Sequence, residues 1–230
     1  TGVAHELNQP LAVIKTASRF FVKKIRAGQE IAPEVLAAMA EEIDSHVDRA
    51  SRIINHLREF GRKSEHALEP VSLNEVLRRT AEMFSQQLKS RGIEIVWDLE
   101  EDLPPVLAEA NRLEQVFINL LINARDAIEE RVAAHPHRKG SKKIFVSSRR
   151  AGGQVLARVE DTGTGIPAAI LARIFEPFFT TKKVGKGTGL GLSISYQIVR
   201  DFGGTIRAES APGEGAAFVV ELPAGQEGTG

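Results

Sequence analysis

The sequence contains no cysteine, and this absence excludes disulfide bonds and thiolate metal sites. It also has no excess of charge, because 30 acidic residues balance 30 basic ones. A chain without net charge lacks the field that attracts nucleic acid or an anionic membrane, so neither is expected as a partner. No uncharged apolar run approaches the length of a membrane span, and no signal peptide is visible.

The 230 residues are 42% hydrophobic, which is enough to build the core of one large domain or two modest ones. The chain begins at Thr1, directly before its first motif, so we expect it to be a fragment of a longer protein. We expect no direct membrane contact from this fragment. Its expected localisation is cytoplasmic, whether the intact protein is free or anchored in a membrane.

Apolar residues recur three and four positions apart in two amino-terminal segments, and this pattern predicts a helical hairpin. The first seam consists of Leu7, Leu11, Ile14, Ser18, Phe21 and Ile25, with Ser18 as its one polar interruption, and the second of Leu36, Ala40, Ile43, Val47, Ala50, Ile54 and Leu57. Residues 28–33 are typical of the turn between two helices. One hairpin covers little of these seams, so we expect it to dimerise into a four-helix bundle, with an interdomain contact as the alternative.

Beyond residue 66 the heptads give way to interspersed helices and strands, which favour an α/β sandwich with a mixed sheet. The predicted helices are near 74–90, 112–134 and 192–202, and the predicted strands are 93–99, 142–149, 154–161, 204–210 and 216–222. A helix cap is indicated at Ser72, three residues before Glu75. The expected fold class is therefore α+β, with a hairpin domain at 1–66 and a sandwich domain at 67–225.

Two asparagines, Asn119 and Asn123, lie four residues apart on a predicted helix that is otherwise largely apolar. Such amides need partners, because an unmatched buried polar group costs about 1–3 kcal/mol. One interpretation is a pair of structural asparagines. The other is a site where their carbonyl oxygens hold a hard cation such as Mg²⁺.

Glycines punctuate two further stretches. Asp161 ends a predicted strand, and Gly163 and Gly165 after it let the backbone approach a ligand closely. In GKGTGLGLSI, alternate glycines run directly into a predicted helix, whose amides would form an anion site; a flexible loop is the alternative. The spacing matches neither a Walker loop nor a dinucleotide-binding fingerprint.

In this order, the asparagine pair and the two glycine-containing motifs resemble the N, G1 and G2 boxes of one ATP-binding domain. That domain is shared by sensor histidine kinases, DNA gyrase and heat-shock chaperones. Between the glycine motifs, IFEPFFTTK is similar to the F box of the histidine kinases, and HELNQPL near the amino terminus is similar to their H box. The resemblance covers essentially the whole chain.

The resemblance implies a two-component histidine kinase that phosphorylates itself on His5 and passes the phosphate to an aspartate of a response-regulator receiver domain. Glu6 would orient the nucleophile or accept its proton. Asn123 would ligate Mg²⁺, with Asn119 near the phosphates and the hydrated metal. Asp161 would accept a hydrogen bond from the exocyclic amine of adenine.

The resemblance places the remaining ATP contacts in the glycine-rich stretches and in a lid between them. These residues are Gly163, Gly165, Lys182, Lys183, Lys186, Gly187, Thr188, Gly189, Leu190 and Gly191. Phe175, Phe178 and Phe179 of the F box would anchor the lid to the domain, with simple core packing as the alternative.

Position 9 holds glutamine where many sensor kinases have threonine or asparagine, and Gln9 is a candidate for a phosphatase role toward the partner. Gln9 also breaks the HExxH pattern of zinc proteases that begins at His5. Pro10 lacks a backbone donor and is expected to bend the helix beside His5.

Two alternatives to a kinase stay open, an ATP-driven conformational machine of the gyrase and chaperone type and an inactive scaffold. Asn119 favours the kinase, because an asparagine cannot act as the base that activates water.

Overall fold

The structure is a computed structural model that describes residues 2–61, 67–135, 140–182 and 188–225. Within the helices, the side chains of residues 2–6, 52 and 55–61 lie outside that description. The chain divides into two compact units, one made of Thr1–Lys63 with Thr180–Leu190 and the other of Ser64–Phe179 with Gly191–Gly230. In the ranges that are described, no helix combines the length and apolar character needed to cross a membrane.

The first unit contains the predicted helical hairpin. Its helices are α1 (Gly2–Arg26) and α2 (Pro33–Gly61), and α1 continues without interruption through Pro10. Three basic residues in the last turn of α1 face the negative end of its dipole, which favours termination there. Gly28 follows with a φ of 62°, a backbone conformation that glycine adopts without steric cost.

The described part of the hairpin buries few side chains and leaves several large apolar ones exposed. Pro10, Ala17, Arg49, Ala50 and Ile53 are buried. By contrast, large members of both heptad seams remain exposed; these are Leu11, Ile25, Leu36, Val47 and Ile54. The seams therefore form an uncovered apolar surface on the single hairpin.

The second unit contains the predicted mixture of helices and strands. In chain order its elements are β1 (Glu69–Val71), α3 (Leu73–Ser90), β2 (Glu94–Leu99), β3 (Val106–Ala108), α4 (Ala110–Ala134), β4 (Lys143–Ala151), β5 (Gln154–Asp161), α5 (Ala168–Leu171), α6 (Gly191–Asp201), β6 (Thr205–Ala211) and β7 (Gly215–Pro223). Five strands form a sheet in the order β2-β4-β5-β7-β6, and β1 pairs with β3 in a small antiparallel sheet. The large sheet is mixed, because β2 and β4 are parallel and the other neighbours are antiparallel.

Helices cover one face of the large sheet, and the core lies between the two layers. Along β4, Ile144 and Val146 are buried while Phe145 between them is 38% exposed, as expected for a sheet covered on one side. From the facing layer, α4 contributes a continuous buried stripe; its members are Leu113, Val116, Phe117, Leu120, Leu121, Ala124 and Ile128. The expected α+β sandwich with a mixed sheet is thus confirmed.

Every longer element predicted from the sequence is present in this unit. The predicted cap of α3 is also present, since the Glu75 backbone N–H donates to the Ser72 hydroxyl over 3.4 Å. The elements that the sequence did not reveal are β1, β3 and α5, which are only three or four residues long. Segments this short carry no measurable periodicity.

Candidate functional site

Asp161 is a buried carboxylate at the end of β5. Alternate residues of this strand point into the core; they are Val155, Ala157, Val159 and Asp161. The same period of two that buries three apolar side chains therefore carries the carboxylate inward as well. Only 4% of Asp161 is exposed, although aspartate is almost never fully buried without partners.

Backbone amides hold this carboxylate. The Gly163 N–H donates to Asp161 Oδ1 over 2.7 Å. Burial raises the pKa of Asp161 from its ordinary 3.8 to about 6, and hydrogen bonds from the backbone of Gly163 and Ala216 act in the opposite direction. A carboxylate has about four lone-pair sites, so two backbone donors leave acceptor capacity for a third donor such as an exocyclic amine.

The two glycines after Asp161 are required by the protein itself. A Cβ at Gly163 would lie 2.6 Å from the Cβ of Ala127 on α4. A Cβ at Gly165 would lie 2.1 Å from the Ala211 carbonyl oxygen, and its φ of 71° also favours glycine. The sequence predicted that these glycines let the backbone approach a ligand. In the structure they let it approach α4 and the end of β6.

The turn after Asp161 is held to the end of β6 and the β-turn that joins it to β7. The Gly213 N–H donates to the Thr164 carbonyl over 2.7 Å, and the Ile166 N–H donates to the Ser210 hydroxyl over 2.7 Å. Gly215 has a φ of 85°, and a Cβ there would lie 1.9 Å from the Asp161 carbonyl oxygen. The sequence indicated only an ordinary turn at Gly215 and offered no sign of this contact.

Asn119 connects α4 to the first turn of α6. Its Nδ2 donates to the Gly191 carbonyl over 3.1 Å and to the Ser195 hydroxyl over 3.3 Å. Ser195 is fully buried, and its hydroxyl donates to the Gly191 carbonyl over 3.0 Å. Sequence reasoning missed Ser195, because a serine within an apolar helix gives no signal of a partner 76 positions away.

One face of α4 joins the two glycine motifs. Asn119, Asn123 and Ala127 follow each other at intervals of four, so they lie on the same side of the helix. The first contacts the start of α6, and the last lies against Gly163 beside Asp161. Asn123 is half-buried between them, and the whole row spans ~12 Å of helix.

The second glycine cluster ends where α6 begins. Thr188 and Gly189 are half-buried and Leu190 is buried, with the Leu190 N–H donating to the Thr188 hydroxyl over 3.4 Å. Gly191 is the first residue of α6. The first turn of a helix leaves N–H groups without intrahelical partners, and these attract anions such as phosphate.

The lid lysines are only partly described. Lys182 is half-buried, and its backbone N–H donates to the Thr180 hydroxyl over 3.2 Å. Lys183, Lys186 and Gly187 lie outside the described residues.

The first phenylalanine of the F box packs within the second unit, to which it belongs. The ring of Phe175 lies 5.8 Å from that of Tyr196 on α6 and 6.5 Å from that of Phe218 on β7. Phe179 stacks with the Arg173 guanidinium at 4.7 Å, and Phe178 adopts a φ of 67°. Phe175 thus joins the segment after α5 to both layers of the sandwich.

In the hairpin, His5 and Glu6 lie in the first two turns of α1, and their side chains are outside the described part of the chain. Gln9 follows one turn later and is half-buried. Its Oε1 accepts a hydrogen bond from Nη2 of Arg49 on α2, over 3.3 Å. Sequence analysis offered no sign of Arg49, which is buried despite its charge.

The donor set of the second unit fits a magnesium nucleotide. The amide oxygens of Asn119 and Asn123 are hard ligands, and Mg²⁺ uses few protein ligands beside phosphates and water. A buried carboxylate at one end of this row and a helix amino terminus at the other offer an acceptor for a base and donors for phosphates.

Two family comparisons together cover most of the chain. The family described as histidine kinase-, DNA gyrase B- and HSP90-like ATPases matches residues 108–226. The family described as the His Kinase A phospho-acceptor domain matches residues 1–66.

Curated sensor kinases are similar over nearly the full chain. The sensor kinase CckA of Brucella abortus is 38% identical over 228 residues, which cover 96% of this chain and 23% of that protein. The sensor histidine kinase ZraS of Escherichia coli is 36% identical over 222 residues, covering 96% of this chain and 44% of that protein. The chain thus spans less than half the length of these relatives.

Solved structures of histidine kinases are similar as well. The nucleotide-free catalytic domain of ThkA is 32% identical with a TM-score of 0.58, over 69% of this chain and 97% of that one. ThkA in complex with the response regulator TrrA is 28% identical with a TM-score of 0.69, over 98% of this chain and 61% of that one. Full-length ShkA in complex with AMPPNP is 26% identical with a TM-score of 0.66, over 93% of this chain and 46% of that one.

Proposed function

The chain belongs to the sensor histidine kinases, with a phospho-acceptor domain followed by the ATP-binding domain of that family, and from this premise we propose that it phosphorylates itself on His5. The observation that carries the proposal is the face of α4 that joins Asp161 at one end to Gly191 at the other. It supports a single nucleotide site assembled from all three predicted motifs. We propose residues 1–66 and 67–225 as the bounds of the two domains.

In this site, the Asp161 carboxylate accepts a hydrogen bond from the exocyclic amine of adenine. Guanine would instead present an acceptor to a buried carboxylate, so ATP is preferred over GTP. Asn123 would ligate Mg²⁺, and Asn119 would lie near the phosphates and the hydrated metal. When bound, Mg²⁺ would neutralise phosphate charge, which together with positioning accounts for most of the catalysis in phosphoryl transfer.

The glycines and the lid complete the nucleotide site. Gly163 and Gly165 shape the turn beside the base, while Thr188 and Leu190 flank the phosphates. Lys182, Lys183 and Lys186 add positive charge to the lid, and Gly187, Gly189 and Gly191 offer backbone N–H donors to phosphate oxygens.

In the transfer step, a ring nitrogen of His5 bonds to the γ-phosphorus as the bond from phosphorus to the bridging oxygen of ADP breaks. Glu6 accepts the proton that the imidazole loses, or orients the ring. The phosphoryl group then moves from His5 to an aspartate of a response-regulator receiver domain. The complex of the related ThkA with a response regulator supports this partner.

We further propose that the protein works as a homodimer. The exposed seam residues on the hairpin support this, because two hairpins that pair through these seams cover an apolar surface that one leaves in water. Gln9, held by Arg49, is proposed to take part in removal of phosphate from the partner.

The deciding experiment is incubation with ATP labelled at the γ-phosphate. We expect an acid-labile, base-stable label on the protein that His5→Ala abolishes and that His46→Ala, a second helical histidine off the seam, retains. ATP turnover without a labelled histidine would instead favour a gyrase-like machine, and failure to bind nucleotide would favour a scaffold.

A further inference from the structure

The amide of Asn119 makes both of its hydrogen bonds within the described residues through Nδ2. The acceptors are the Gly191 carbonyl at 3.1 Å and the Ser195 hydroxyl at 3.3 Å. An asparagine side chain ends in two donors and one acceptor oxygen, and the two ends have nearly the same shape. Which end faces a ligand is therefore decided by the groups around the amide.

Ser195 takes part in this decision through its own hydrogen bond. Its hydroxyl donates to the Gly191 carbonyl over 3.0 Å, the bond that a helical serine makes to the carbonyl four residues earlier. Because the hydroxyl hydrogen is directed at Gly191, the lone pairs of Oγ remain for Nδ2 of Asn119. A rotated amide would place Oδ1 against the Gly191 carbonyl oxygen, and two acceptors repel each other.

We propose that Ser195 is a positioning residue that holds the amide of Asn119 with Oδ1 available to the hydrated metal of a magnesium nucleotide. This inference rests on the proposed function, since it concerns the same ATP site. Ser195 is fully buried, and within the described residues its hydroxyl bonds to Asn119 and Gly191. Its role is to set which atom of the amide meets the ligand, so it should affect metal-dependent binding far more than binding of the nucleotide alone.

The test compares binding of AMPPNP with Mg²⁺ and with EDTA by titration calorimetry, on the whole chain. The dissociation constant in EDTA divided by the dissociation constant with Mg²⁺ measures how much the metal contributes to affinity. We expect Ser195→Ala to lower this ratio about fivefold, the size of one neutral hydrogen bond. Ser195→Thr should keep the wild-type ratio, because threonine makes the same bond to the carbonyl four residues earlier.

Ser148→Ala is the matched control. Ser148 is also buried and donates to a buried asparagine, Asn74, over 2.7 Å, but it lies on β4 outside the site. Its loss should destabilise the domain and leave the ratio unchanged. An unchanged ratio in Ser195→Ala, or a fall of equal size in Ser148→Ala, would overturn the inference.

Side-chain NMR gives a second reading that needs no variant. The Nδ2 hydrogens of Asn119 should exchange with water more slowly than those of Asn111, which is exposed on the same helix. Equal exchange rates would contradict the proposed network. Wild-type protein that binds AMPPNP in a metal-dependent way but leaves His5 unlabelled would refute the kinase proposal alone, whereas no binding at all would refute both.

Discussion

The hairpin and the sandwich solve the problem of burial differently. The sandwich buries a stripe of seven residues on α4 against its own sheet. The described part of the hairpin buries few side chains, and its Ile25 remains 72% exposed. The sandwich therefore has a core of its own, while the single hairpin presents an apolar surface to solvent. This difference predicts that mutations in the two regions will report on different equilibria.

The largest effect is expected from Phe117→Ala in the core of the sandwich. Phe117 is 1% exposed, and removing such a side chain costs about 3–5 kcal/mol through lost burial and the cavity left behind. Urea unfolding of the sandwich should show this loss. Ile54→Ala replaces a large apolar residue that is exposed on the hairpin, so it should not change the urea unfolding of the sandwich. Equal losses of stability in the two variants would contradict the difference between the two regions.

Asp161→Asn should change how the stability of the sandwich depends on pH. The folded-state pKa of Asp161 is raised from 3.8 to about 6, so the folded state binds its proton more tightly than the unfolded state. The stabilisation that Asp161 contributes is fully present below about pH 4. It decreases as the pH rises through 6, and it is absent at higher pH. The loss amounts to about 3 kcal/mol.

The asparagine variant lacks this titration. Its stability relative to wild type should accordingly rise between pH 4 and pH 6, measured by denaturant unfolding at several pH values. A constant difference across that range would contradict the burial of an ionisable carboxyl.

Two glycine variants sharpen the account of the turn beside Asp161. Gly165→Ala and Gly213→Ala both place a Cβ on a residue with positive φ, which costs about 1–2 kcal/mol. At Gly165 the new Cβ also meets the Ala211 carbonyl oxygen at 2.1 Å, whereas at Gly213 nothing lies within 4 Å. Gly165→Ala should therefore lower the melting temperature more than Gly213→Ala does. Equal losses would show that backbone strain alone governs both variants, and a larger loss for Gly213→Ala would contradict the clash at Gly165.

The smallest effect on the sandwich, essentially none, is expected from Val47→Asp in the hairpin seam. Val47 is 45% exposed on one hairpin, and a charge there would be desolvated if two hairpins paired. We expect at least a tenfold weaker dimer by analytical ultracentrifugation, with the sandwich transition unchanged. Ser45→Asp adds the same charge at an exposed position off the seam and should leave the association as it is.

Periodicity predicted most of the architecture because it reports burial directly. Residues 154–161 alternate in sequence and occupy β5 over the same bounds, and the hydrophobic pattern of 112–134 lies within α4. The sequence did not predict the short strands β1 and β3, because three residues are too few to show a hydrophobic period. The site motifs were visible for a similar reason, since glycines and amides stand out against apolar elements.

What the sequence determined by itself is where polar groups interrupt the buried pattern, as at Asp161 and at the pair Asn119 and Asn123. Only the tertiary structure decided which atom each of these groups presents. The Asn119 amide is oriented by Ser195, and Gln9 is held by Arg49, 40 positions away. The reason is physical: burial depends on local spacing, whereas the direction of a hydrogen bond depends on a partner that folding brings from elsewhere in the chain.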